Sequence, residues 1–202
     1  MDVIFFHGAG AGAHAEDSRL AAALGTRLGE GYRVACPQLP EDDDAEDGLW
    51  LAAIASAIES AAKPAVLIGH SAGGYLLLKH LAGANAPLAP AAVAAICVIA
   101  APYPGGDPSW TFDGFDLPPD LGGRLPQGVP VFLYAGEDDD IVPFAHRDLY
   151  ADAIPGALTR TVTGGHQLGH DLSAVARDIL ALPDTSLPSG RAAPPRPAVI
   201  PQ

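Results

Sequence analysis

Short strand-like segments alternate with helical ones along most of the sequence, and this alternation limits the chain to few architectures. Strands are expected at residues 3–6, 32–36, 65–68, 93–100, 129–135 and 158–162, with helices at 16–29, 42–62, 75–81, 144–153 and 172–182. Several strand segments, such as Val3-Ile4-Phe5-Phe6, are apolar without interruption. A strand wetted on one face alternates in polarity, whereas a fully apolar one is covered on both faces. The pattern implies an α/β fold: a three-layer sandwich of about six mainly parallel strands with helices on both faces. Leu20, Leu24 and Leu28, four residues apart, mark one apolar helix face. The acidic patch at 42–47 reads as a solvated first helical turn matched to the helix dipole. Residues 102–128 are rich in Pro, Gly and Asp and suggest no regular element.

Of the 202 residues, 49% are hydrophobic, enough for one buried core. A single domain over 1–182 is expected. From 183 to 202 Pro, Ser, Ala and Gly dominate without apolar periodicity, which reads as a disordered tail. The net charge of -13 leaves no basic face, so a nucleic-acid partner is not expected. No apolar run approaches the ~18 residues of a membrane span, so no membrane partner is expected either. The start lacks a basic region and a long apolar stretch, so a cytoplasmic location is expected. Cys36 and Cys97 lie in strand-like runs and read as buried small hydrophobes rather than a disulfide framework. No spacing of Cys and His suggests zinc, and neither a metal nor a cofactor is expected.

The sharpest local signal is Gly69-His70-Ser71-Ala72-Gly73, a G-x-S-x-G run between an apolar strand and a helix. A serine on so tight a strand-to-helix turn projects its hydroxyl above the sheet edge. Side chains on its neighbours would clash, hence the glycines. The following helix adds positive partial charge where an oxyanion would form. The bland alternative is an ordinary glycine-rich turn with a surface serine.

A serine hydroxyl needs a base to take its proton. In this architecture the partners follow in the order Ser, then Asp or Glu, then His. Gly136-Glu137-Asp138-Asp139-Asp140-Ile141-Val142-Pro143 follows the fifth strand, and Thr163-Gly164-Gly165-His166 follows the sixth. Both lie at carboxyl ends of strands, where open α/β sheets bind ligands.

Together with Phe6-His7-Gly8-Ala9, these segments resemble the α/β-hydrolase superfamily, especially its small members with little or no lid. The resemblance covers most of the chain before the tail. The family's acid loop commonly reads G-x-x-D-x-x-V-P, which implies Asp139 as the acid, with Asp138 and Asp140 as rivals. Its histidine usually follows a glycine after the last strand, which implies His166. His170 then reads as a surface or helix-end residue. The implied oxyanion donors are the backbone N–H groups of Ala9, or alternatively Gly10, and of Ala72. His7 matches the family's strand-end histidine and is expected to be structural. The implied activity is cleavage of a small-molecule ester or thioester through an acyl-enzyme on Ser71, His166 and Asp139. The oligomeric state stays open.

Two other readings compete. Gly8, Gly10 and Ala13 also fit the dinucleotide fingerprint G-x-G-x-x-G/A, which would make the protein an oxidoreductase. Yet Val34-Ala35-Cys36-Pro37-Gln38 lacks the acidic residue expected after the second strand. The fold could also serve as a catalytically dead binding module. Larger family members carry extra strands before the oxyanion loop and a lid near 102–128. A trimmed sheet is therefore expected, with Tyr103, Trp110, Phe112 and Phe115 either lining an acyl pocket or packing a simple crossing loop on the core.

Overall fold

A computed structural model describes residues 1–40, 47–83 and 88–183 of the chain. The acidic stretch 42–46 and the tail from 184 onward lie outside the described residues. Among the described residues six strands are present: β1 (Asp2–Phe6), β2 (Arg33–Ala35), β3 (Ala65–His70), β4 (Val93–Ile99), β5 (Val131–Gly136) and β6 (Leu158–Val162). The helices are α1 (Ala13–Leu28), α2 (Asp47–Ser60), α3 (Ala72–Ala82), α4 (Leu121–Arg124), α5 (Ala145–Ala153) and α6 (Ser173–Leu180). The strands form one parallel sheet in the order β2-β1-β3-β4-β5-β6.

Two apolar layers sandwich this sheet, because successive side chains of a strand point to opposite faces. Ile4 and Phe6 of β1 join Trp50, Ile54 and Ile58 of α2, the leucines of α3, and Tyr150 and Ile154 by α5. Val3 and Phe5 face the other way, onto Leu20 and Leu24 of α1 and Val175 and Ile179 of α6. The chain runs outward from β1 to β2, then returns past β1 to β3 and continues in one direction. Only α1 makes the outward crossing. A fixed crossover handedness puts it on the opposite face from α2, α3 and α5, which make the return crossings. The reversal leaves a crevice between the carboxyl ends of β1 and β3, the usual ligand position in such sheets.

Element boundaries fall close to those expected, with two informative shifts. α3 starts at Ala72 rather than 75, because Gly73 and Gly74 are poor helix formers that packing requires there. A Cβ on Gly73 would lie 2.4 Å from the His7 carbonyl oxygen, so only glycine lets α3 sit against the end of β1. β2 ends at Ala35, so Cys36 lies just past it, half-buried. Cys97 is fully buried in β4, and both thiols are free. Burial pushes the Cys36 thiol up to about 11 and the Cys97 thiol up to about 12. Among the described residues no helix is long and apolar enough to cross a membrane.

Candidate active site

Ser71 sits between the last residue of β3 and the first of α3, with φ 52° and ψ -129°. An L-residue rarely adopts positive φ, so the turn is strained and held by its surroundings. The Ser71 N–H donates to the Ile99 carbonyl at 2.8 Å, and its own carbonyl accepts from Gly74 N–H at 2.9 Å. Gly69 cannot carry a side chain, since a Cβ there would lie 2.5 Å from Gly74 Cα. The serine stays partly exposed at the sheet rim.

The first turn closes over it. A Cβ on Gly8 would lie 3.1 Å from Ser71 Cβ and 3.5 Å from its Oγ. Ala9, the next residue, is exposed at the rim, and Ala72 occupies the first position of α3, where a helix N–H lacks an intrahelical acceptor. His7 is fully buried and fastens this turn. Leu39 N–H donates to its Nε2 at 2.9 Å, so the ring proton on Nδ1 is given to the Gly8 carbonyl at 2.7 Å.

Of the three neighbouring aspartates, Asp139 meets the histidine. Its Oδ2 lies 2.9 Å from His166 Nδ1, and its Oδ1 accepts the Ile141 and Val142 N–H groups, each at 2.9 Å. Burial alone would raise the Asp139 carboxyl, but the His166 bond and the two backbone N–H groups outweigh it and hold it below the usual range. An ionised Asp139 accepts the Nδ1 proton and so leaves Nε2 as the basic nitrogen. Asp138 instead accepts the Gly164 N–H at 2.9 Å and bolts the histidine turn in place, while Asp140 stays exposed.

The histidine turn starts three strands away from Ser71, since β6 follows β4 and β5 beyond β3. At about 4.8 Å per strand, it must double back over roughly 14 Å to approach the serine. The backbone does so through left-handed residues: Gly164, Gly165, Leu168, Gly169 and His170 all have positive φ. His166 ends 8% exposed, its ring centroid 4.8 Å from that of His70, the residue before Ser71. Ser71 Oγ forms no hydrogen bond with the imidazole among the described residues. Such bonds are often long without substrate and tighten in the reacting complex. His170 is half exposed, 3.7 Å from Glu16, at the surface as expected.

Two buried groups were not expected from the sequence. Asp17 of α1 is 1% exposed, and its Oδ2 lies 2.9 Å from Gly8 N and 2.8 Å from His70 Nδ1. His70 Nε2 lies 3.0 Å from the His166 carbonyl oxygen. A signal was available: Asp17 shares a helical face with Leu20, Leu24 and Leu28. Asp17 also argues against a dinucleotide in the first turn, because its carboxylate takes up Gly8 N–H where a pyrophosphate would bind.

Residues 102–128 form a crossing whose regular structure among the described residues is one turn at Pro108–Trp110 and the one-turn α4, neither expected from the sequence, and it is pinned at several points. Tyr150 Oη donates to the Pro102 carbonyl at 2.7 Å, and Tyr103 N–H donates to His146 Nδ1 at 2.8 Å. Lys79 donates to Asp116 at 2.9 Å and to the Gly114 carbonyl at 2.8 Å. Tyr103 and Phe115 pack on the core, and Phe112 stacks on Phe115 at 4.6 Å while remaining 56% exposed. The aromatics mainly anchor the loop. Among the described residues no group of His, Cys, Asp and Glu could hold a metal.

Solved structures share this architecture. A serine hydrolase involved in carbazole degradation aligns at a TM-score of 0.65 and 16% identity, over 90% of each chain. Est1E from Butyrivibrio proteoclasticus aligns at 0.65 and 17%, covering 89% of this chain and 86% of its own. A hydrolase of the alpha/beta superfamily from Xanthomonas campestris pv. campestris aligns at 0.56 and 23%, covering 87% and 92%. No curated protein sequence matches the chain. A sequence profile described as the alpha/beta hydrolase family matches residues 3–200, and the chain therefore belongs to that family.

Proposed function

We propose that the protein is a serine hydrolase that cleaves small carboxylic esters or thioesters through an acyl-enzyme on Ser71. The observation that carries this reading is the buried Asp139–His166 hydrogen bond, at the same rim as a strained serine turn. His166 Nε2 takes the Ser71 proton as Oγ attacks the carbonyl carbon. The oxyanion is held by the N–H groups of Ala9 and Ala72. When the tetrahedral intermediate collapses, the leaving group departs with the proton from His166. Water then gives a proton to His166, attacks the acyl-enzyme and releases the acid, and Ser71 regains its proton. One of the structural neighbours bears a name of the same kind, the serine hydrolase involved in carbazole degradation.

The test is labelling with a fluorophosphonate followed by mass spectrometry, beside hydrolysis of acetyl, butyryl and octanoyl p-nitrophenyl esters. Wild type should be labelled at Ser71, and Ser71→Ala should lose both labelling and turnover. Full esterase activity in Ser71→Ala would overturn the assignment. On this reading the pinned crossing is no lid and the rim is open, so rates across the three chain lengths should differ little. A steep preference for octanoyl would contradict an open rim.

A further inference from the structure

Behind the proposed triad lies a second carboxylate–imidazole pair whose contacts reach both sides of the reaction centre. Asp17 Oδ2 accepts from Gly8, in the turn that leads to the Ala9 donor. His70 Nε2 faces the backbone carbonyl of His166, which can only accept, so Nε2 carries a proton. His70 Nδ1 faces Asp17 Oδ2, which already accepts from Gly8, so Nδ1 carries a proton as well. The ring is then an imidazolium paired with a carboxylate. Burial opposes both charges, but their mutual bond overcomes it: the His70 ring is raised and the Asp17 carboxyl lowered from their ordinary values.

The pair is a poor device for stability. Burying two charges is costly even when they are matched, and Asp17 Oδ1 has no partner among the described residues. What it provides is geometry. Three turns that leave β1, β3 and β6 are joined through one ring and one carboxylate, and the β6 turn has the farthest to return. We propose that Asp17 and His70 are positioning residues that set His166 and the oxyanion turn in register around Ser71. This rests on the reading of Ser71, His166 and Asp139 as the triad. The charged and titratable groups facing His70 are Asp17 from α1, His166 and Asp139 from the turns after β6 and β5, and His7 through Asp17 at the end of β1.

The side-chain amides of Asn and Gln can each replace one half of the ring. His70→Asn keeps a donor toward Asp17 and gives up the His166 carbonyl, whereas His70→Gln keeps the donor to that carbonyl. In His70→Asn, kcat and the rate of Ser71 labelling should fall about 100-fold, the cost of displacing a catalytic group by about 1 Å. KM should stay within about twofold, and His70→Gln should recover part of the loss. In Asp17→Asn the ring loses its counter-charge, so kcat should gain a new alkaline limb as His70 deprotonates; wild type should lack it. A role in stability alone would lower melting temperature and leave the kcat of folded protein and its pH profile unchanged. His70→Asn with wild-type kcat and labelling rate, while wild-type Ser71 is labelled, would overturn the positioning role alone. Absent labelling of wild-type Ser71 would instead overturn the triad beneath it. Nitrogen-15 spectra of the wild-type imidazoles need no variant: a His70 ring that stays doubly protonated as pH rises past the ordinary imidazole value of about 6.5 is expected, and a ring singly protonated there would refute the pair.

Discussion

At Ser71 the backbone holds a φ of 52°, and its neighbours show what maintains it. Gly69 and Gly73 have no room for a methyl group, with backbone atoms 2.5 Å and 2.4 Å from where it would sit. Gly73→Ala should lower stability by about 3 kcal/mol, the upper end of overpacking costs, because backbone cannot rotate away as a side chain can; the midpoint of urea unfolding checks this. These glycines were legible in the sequence because the turn needs them at fixed offsets. The proposed acid was less legible. Three consecutive aspartates look alike by composition; the loop spacing shared with the family implies Asp139, and the fold sets its Oδ2 on His166 while Asp138 holds Gly164. Asp139→Asn should reduce kcat about 10⁴-fold, since the imidazole loses the partner that fixes its tautomer. Asp138→Asn should keep kcat within a few-fold, because an amide oxygen can still accept the Gly164 N–H. Asp17 is harder to read because a polar residue in a helix is usually solvated: its place on the leucine face hints at burial, but the partner 53 positions away is not visible locally.

At the level of elements, strands were easier to find than the long crossing between β4 and β5. A strand covered on both faces announces itself by an apolar run. Residues 102–128 are ordered by contacts with α3 and α5, through Lys79, His146 and Tyr150, and not by a period of their own. Tyr150→Phe should lower stability by about 1–3 kcal/mol, as it strands the buried Pro102 carbonyl without its donor. Phe112→Ala, at an exposed position on the same loop, should change stability by no more than about 0.5 kcal/mol. Thermal melts of the two variants side by side would separate a residue that fastens the loop from one that rides on it.

For the whole molecule, the alternation of strand and helix sufficed to indicate the layers, because apolar strands joined by helices need cover on both faces. The order of the strands was not indicated, since it depends on where the chain reverses. Buried charges give the molecule a defined response to acid. The carboxyls of Asp17 and Asp139 stand below their ordinary values, with burial opposed and outweighed by hydrogen bonds. Their stabilisation is complete above the unfolded value of about 3.9 and is lost as pH falls through the lower folded values. His70 runs the other way: its contribution is complete below about 6.5 and fades as pH rises through its raised folded value. Urea midpoints measured from pH 7 downward should hold steady and then drop below about pH 4, and Asp17→Asn should blunt that drop. The strand order also sets a rule for enlargement. The proposed triad at 71, 139 and 166 depends on the interval from β3 to β6, so new strands appended past β2 or β6 would widen the protein without disturbing it. One strand intercalated between β3 and β5 would push its members apart by about 4.8 Å, farther than the proposed proton transfer could span. Such a scaffold can grow at its margins but not through its middle.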